Sequence, residues 1–98
     1  MAAQQLVGKK YDALFKAMLQ LKSVDECRKF YRDLCTMAEL KAMAERWEVV
    51  QLLLAGIPYR EISKQTGAST ATVTRVAQWL NHGEDGYKLV LKRQKKIR

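Results

Sequence analysis

The sequence predicts an all-α fold, and three observations carry that expectation. Apolar residues recur at three- and four-residue spacing along most of the chain. Two Ser/Thr-x-x-Glu signals, "SVDE" and "TMAE", precede apolar runs as helix starts do. The one proline and two well-placed glycines fall between periodic runs, and no alternating strand pattern competes. With 98 residues, 48% of them hydrophobic, the chain is expected to form a single domain over 1–98. That size lies near the lower end of what buries a good core unaided, so part of the apolar surface is available to a second copy.

Each helix has a local reason. Val7, Tyr11, Leu14, Phe15 and Met18 form one stripe, which should end near Leu21. Ser23 then caps a second helix with Glu26 reaching back, and Val24, Cys27, Phe30, Tyr31 and Leu34 share a face. Thr36 and Glu39 repeat the signal for a long third helix through Leu40, Met43, Trp47, Val50 and Leu54, ended by Gly56. Pro58 opens a short helix over about 59–66, where its missing N–H costs nothing. Gly67 makes the turn into a helix from about Ser69 to Leu80. "NHGEDG" is a loop, Tyr87 to Arg93 a last helix, and residues 92–98 a basic tail.

Composition narrows the function. Eighteen Lys and Arg against ten Asp and Glu give a net charge of +8, suited to nucleic acid or another anionic surface. No signal-peptide core and no bilayer-length apolar run is visible, so a cytoplasmic location is expected. Cys27 and Cys35 are eight residues apart, about 12 Å along a helix and beyond disulfide reach, which fits two reduced thiols. His82 is the sole histidine and no CxxC pair exists, so neither a metal nor another cofactor is expected. No nucleophile sits with a base and no phosphate loop occurs, so the chain does not read as an enzyme.

The stretch over about 58–80 reads as a helix-turn-helix. Ile62 and Thr66 lie one turn apart on its first helix and face Val73 and Val76 on the second. Ser63 is small where the helices cross, and Gly67 permits the positive φ of a tight turn. Val73, Val76, Ala77 and Leu80 make an inner stripe, leaving Ser69, Thr70, Thr72 and Arg75 outward. In such a unit the second helix places its N-terminal residues in the major groove. There Ala71 or a threonine methyl suits a thymine methyl, and hydroxyls suit base edges or phosphates. Lys64 and Gln65 stand on the preceding helix for backbone contact. Double-stranded DNA is therefore the expected partner, with no membrane role.

From about Leu34 to Lys92 the chain resembles the Trp repressor family, in particular its YerC/YecD-type branch of short regulators. The matching stretches are "LCTMAELKAMAERWEVVQLLLAG" and "YREISKQTGASTATVTR". The resemblance implies a six-helix Trp-repressor-like fold in an intertwined homodimer whose N-terminal helices share one core. It implies two recognition helices spaced to read a palindromic operator, and hence a transcriptional regulator, most simply a repressor.

The resemblance also carries a small-molecule question. In the tryptophan-responsive members two arginines sandwich the corepressor indole, and Arg46 and Arg75 match those positions. Leu34 and Thr36 fall in the segment at the edge of that pocket. Equally, Arg46 suits a surface charge paired with a neighbouring glutamate, and Arg75 a phosphate contact. The chain departs from the pattern at Val76, where those members have glycine, and at Trp79, where they have serine. Added volume there should occlude a tryptophan-sized pocket, with Arg75 or Arg46 against the Trp79 ring or Trp79 simply packing, and DNA binding independent of tryptophan. Trp47 suits core packing, and Phe30 and Tyr31 a dimer core. A different class remains open: a DNA-binding or protein-docking adaptor of the transcription or recombination machinery.

Overall fold

The computed structural model describes residues 3–94, and among them every regular element is helical. The chain divides into two compact units, Met1–Leu40 and Lys41–Arg98. In the first, a 3-10 turn (Ala3–Leu6) precedes α1 (Lys9–Met18) and α2 (Val24–Leu34). Helix α1 starts two residues later than the apolar stripe suggested, because the backbone leaves helical geometry at Gly8.

The capping signals act as hydrogen bonds. The Glu26 N–H donates to Ser23 Oγ at 3.1 Å, while the Glu26 carboxylate accepts the Lys22 N–H at 2.8 Å. That second bond falls one residue upstream of the reciprocal partner the box predicts. The box opening α3 (Met37–Leu54) is complete: the Glu39 N–H reaches Thr36 Oγ1 at 3.1 Å, and the Thr36 N–H reaches Glu39 at 2.8 Å. The Thr36 backbone N–H first, and then the Thr36 side chain, hold the Glu39 carboxyl below its ordinary pKa.

Neither α1 nor α2 contains a buried residue. The apolar stripes are amphipathic as expected, but within one chain they are uncovered: Val7 is 72% exposed, Leu19 80% and Val24 68%. Tyr11, Leu14, Phe30 and Tyr31 are only partly buried. Phe30 and Tyr31 meet edge to face at 5.4 Å.

The second unit holds the core. Helix α3 ends in paired bonds from the Gly56 N–H to the Leu53 carbonyl and from the Ile57 N–H to the Leu52 carbonyl, both 3.1 Å. This helix-ending motif needs a left-handed residue, which Gly56 provides at φ 78°. Pro58 then precedes α4 (Tyr59–Thr66), followed by α5 (Thr70–His82) and α6 (Gly86–Arg93). Helix α5 runs two residues beyond Leu80, leaving a loop shorter than expected. Val49 and Val50 of α3, Ile62 of α4, Val73, Val76 and Leu80 of α5, and Leu91 of α6 form one buried cluster. Trp47 packs against it, its ring 6.1 Å from that of Tyr87. Cys27 and Cys35 are free thiols. Among the described residues no helix is long and apolar enough to cross a membrane. Lys95, Lys96 and Arg98 of the basic tail lie outside the described residues, whereas Lys92 and Arg93 close α6.

Two outcomes are expected. Ile62 is fully buried, so Ile62→Ala should lower unfolding free energy by about 2–5 kcal/mol in urea denaturation. The Glu39 carboxyl titrates lower folded than unfolded, so its stabilising contribution is present above the unfolded pKa and is lost as pH falls through the folded one. The stability gap between the parent chain and Glu39→Gln, followed by thermal unfolding against pH, should therefore close in acid.

Candidate nucleic-acid interface

The turn between α4 and α5 is built from backbone geometry and two hydroxyls. Gly67 takes φ 81° and its N–H donates to the Ser63 carbonyl at 3.0 Å. A β-carbon there would be strained by conformation, although the nearest atom, Glu45 Oε2, lies 3.7 Å away. Ala68 follows, 95% buried at 5% exposure, and its two backbone polar groups both find α4 side chains. The Ser63 hydroxyl donates to the Ala68 carbonyl at 2.6 Å. The Ala68 N–H donates to Thr66 Oγ1 at 3.1 Å, while the Thr66 hydroxyl donates to the Ile62 carbonyl at 2.8 Å. Ser63 is thus more than a small residue at a crossing point.

Ser69 caps α5. Its Oγ accepts the Thr72 N–H at 3.1 Å and its hydroxyl donates to Thr72 Oγ1, also at 3.1 Å. The Thr74 hydroxyl is likewise committed, to the Thr70 carbonyl at 3.0 Å. The inner stripe falls as predicted: Val73, Val76, Ala77 and Leu80 are all buried. Outward stand Ser69, Thr70, Ala71 and Arg75, with Lys64 and Gln65 exposed on α4. Thr72 departs from the expectation of an outward residue, being partly buried and turned toward a cavity. Sequence reasoning omitted Thr74 and Gln78, which are exposed on α5. Thr70, Thr74 and Gln78 follow one another at intervals of four, which was the available signal.

Arg46, Arg75, Val76 and Trp79 do come together, around a cavity of about 320 Å³. Ala42, Glu45, Thr72 and Tyr87 complete its lining, none of them anticipated as part of it. Trp79 forms part of the wall and is 42% exposed, so open volume remains beside it. The reason is angular: Trp79 lies outside the stripe of Val73, Val76, Ala77 and Leu80 that α5 turns inward. The expected stacking of an arginine on Trp79 is not what the described residues form; the cation–π pair present is Lys10 over Tyr11, at 5.2 Å. Glu45 approaches Lys41 at 4.0 Å, not Arg46. His82 occupies the last turn of α5. Leu34 and Thr36 belong to the first unit.

Comparison with known proteins places this arrangement. The sequence model of the family described as Trp repressor protein matches residues 9–95. The chain belongs to the Trp repressor family. Within reach of this family member are the uncharacterized protein YerC of Bacillus subtilis (strain 168), 45% identical over 95 residues that span 97% of this chain and 91% of that protein. The crystal structure of a TrpR-like protein from Eubacterium eligens ATCC 27750 superposes with a TM-score of 0.90 at 39% identity, covering 97% of this chain and 98% of that one. A Staphylococcus aureus crystal structure gives the same TM-score at 38% identity, covering 97% and 95%. The six-helix fold is thus a Trp-repressor-like one, in a family of DNA-binding regulators.

Because Gly67 holds a left-handed conformation in the turn, Gly67→Val should cost about 1–3 kcal/mol. Urea unfolding checks this, and the loss should exceed that of Gly67→Asn, a residue that tolerates the same region.

Proposed function

We propose that the chain is a homodimeric, sequence-specific DNA-binding transcriptional regulator, a repressor, that reads a palindromic operator through α5. The observation that carries this reading is the division of α5 into a buried stripe and an open N-terminal half. Val73, Val76, Ala77 and Leu80 fix the helix to the core, while Ser69, Thr70, Ala71 and Arg75 stay exposed. Small side chains at the helix start allow close approach to base edges, and Arg75 with Lys64 adds charge for phosphates. The positive end of the helix dipole favours an anion at the same place. Family membership supports the same function.

The dimer is supported by the first unit. Two helices without one buried residue, and with Val7, Phe15, Leu19, Val24 and Leu34 exposed, leave more apolar surface uncovered than a solitary chain of this size sustains. A second copy placing its own stripe there satisfies both chains alike, as a two-fold interface does.

Binding is read as independent of free tryptophan. Volume beside Trp79 stays open, so the reading rests on the lining's chemistry, in which the Glu45 carboxylate stands with Arg46 and Arg75. Glu45 offsets part of the positive charge that Arg46 and Arg75 would otherwise offer a ligand's carboxylate.

Selection of bound sequences from random duplex DNA tests the reading, with enrichment of a palindrome expected. A salt-dependent association that ignores sequence would favour the adaptor class instead. Thr70→Glu should keep the fold, because an acid in the first turn suits the helix dipole, yet lower operator affinity about a hundredfold or more by repelling phosphate. Gel-filtration size should stay that of the parent. Titrating tryptophan should leave operator affinity unchanged, and calorimetry should detect no saturable tryptophan uptake.

A further inference from the structure

We infer that Ser63 and Thr66 are positioning residues that set the reading angle of α5 by holding the Ala68 backbone on both sides of its Cα. This rests on the proposed reading of DNA through α5. Ala68 is the last residue before the Ser69 cap, so its peptide groups determine where the first turn of α5 starts. Its carbonyl takes the Ser63 hydroxyl at 2.6 Å and its N–H goes to Thr66 Oγ1 at 3.1 Å. Thr66 is itself anchored, donating to Ile62 at 2.8 Å. Ile62 is fully buried and Thr66 is 9% exposed, so the chain of bonds runs from the core to the start of the exposed helix.

A turn held only by Gly67 would be free to pivot, since glycine restricts its neighbours least. Two bonds to one buried residue, one on each of the peptides that flank its Cα, remove that freedom, because neither Ala68 group can leave its partner without losing a hydrogen bond. The clamp continues into α5 through Ser69 and Thr72, whose hydroxyls bond to each other.

The role separates from mere stability in its effect on discrimination. A misaligned α5 loses base contacts, which need exact register, more than phosphate attraction, which does not. The experiment measures affinity for the selected operator and for a scrambled duplex of equal composition. Ser63→Ala and Thr66→Val delete the hydroxyls, whereas Ser63→Thr and Thr66→Ser keep them. The deletions should lower the operator-to-scrambled ratio about three- to tenfold each while leaving scrambled binding and its salt slope unchanged. The hydroxyl-keeping pair should restore the ratio. A ratio within twofold of the parent in both deletions, or an equal loss on both duplexes, overturns the positioning role.

Amide hydrogen exchange on the DNA-free protein separates this inference from the reading it rests on. Thr66→Val should speed exchange of the Ala68 amide about tenfold or more relative to that of Val73, whose N–H bonds the Ser69 carbonyl. If the parent enriches no sequence, the DNA reading fails and the exchange result alone decides the clamp. Unchanged Ala68 exchange overturns it.

Discussion

The functional side of the second unit depends on one buried cluster. Val49 and Val50 of α3, Ile62 of α4, Val73 and Val76 of α5 and Leu91 of α6 are each 1% exposed or less. They come from four helices, and two of those, α4 and α6, have only eight residues each, too few to hold a helix alone in water. Burial supplies what helix propensity lacks, at about 1.5–3 kcal/mol for each large aliphatic side chain. Once that cluster forms, α5 can leave threonines, an alanine and an arginine in solvent without losing its place.

Around the cluster, polar chemistry is concentrated where the chain changes direction. The start of α2, the start of α3, the turn after α4 and the start of α5 each use a Ser or Thr hydroxyl. No buried side-chain nitrogen or oxygen among the described residues lacks a partner. At the surface the Ser69 and Thr74 hydroxyls donate within the chain, and Thr72 Oγ1 accepts from Ser69. What α5 offers freely is the Thr70 side chain, the Ala71 methyl, the Arg75 guanidinium and the Gln78 amide.

Much of this was legible in the sequence because the relevant spacings are local. A hydroxyl three residues before a glutamate identified two helix starts, and Gly67 after an eight-residue helix identified the turn. The inner stripe of α5 followed from periodicity alone. Burial of the α1 and α2 stripes did not follow, because periodicity shows which face is apolar and says nothing of what covers it. Spacing shows that Ser63 is small at the crossing but not that its hydroxyl bonds Ala68, because that bond depends on the turn's path. The cavity lining mixed both cases. Arg46, Arg75, Val76 and Trp79 were reachable by family resemblance, whereas Glu45 and Tyr87 join them only through the packing of α3, α5 and α6. Trp79 illustrates the limit on side-chain volume as an argument: a large ring fills space only in the direction its helix turns it.

The uncovered stripes of α1 and α2 have a consequence for the protein in a cell. A segment with no fully buried residue borrows stability from whatever covers it, so its free energy contains a concentration. In the proposed dimer, dilution acts as a denaturant and synthesis of more chain acts as a stabiliser. Occupancy of a target site then rises more steeply than in proportion to the number of chains, because assembly comes before recognition. A molecule of 98 residues would in this way measure its own abundance without a sensor.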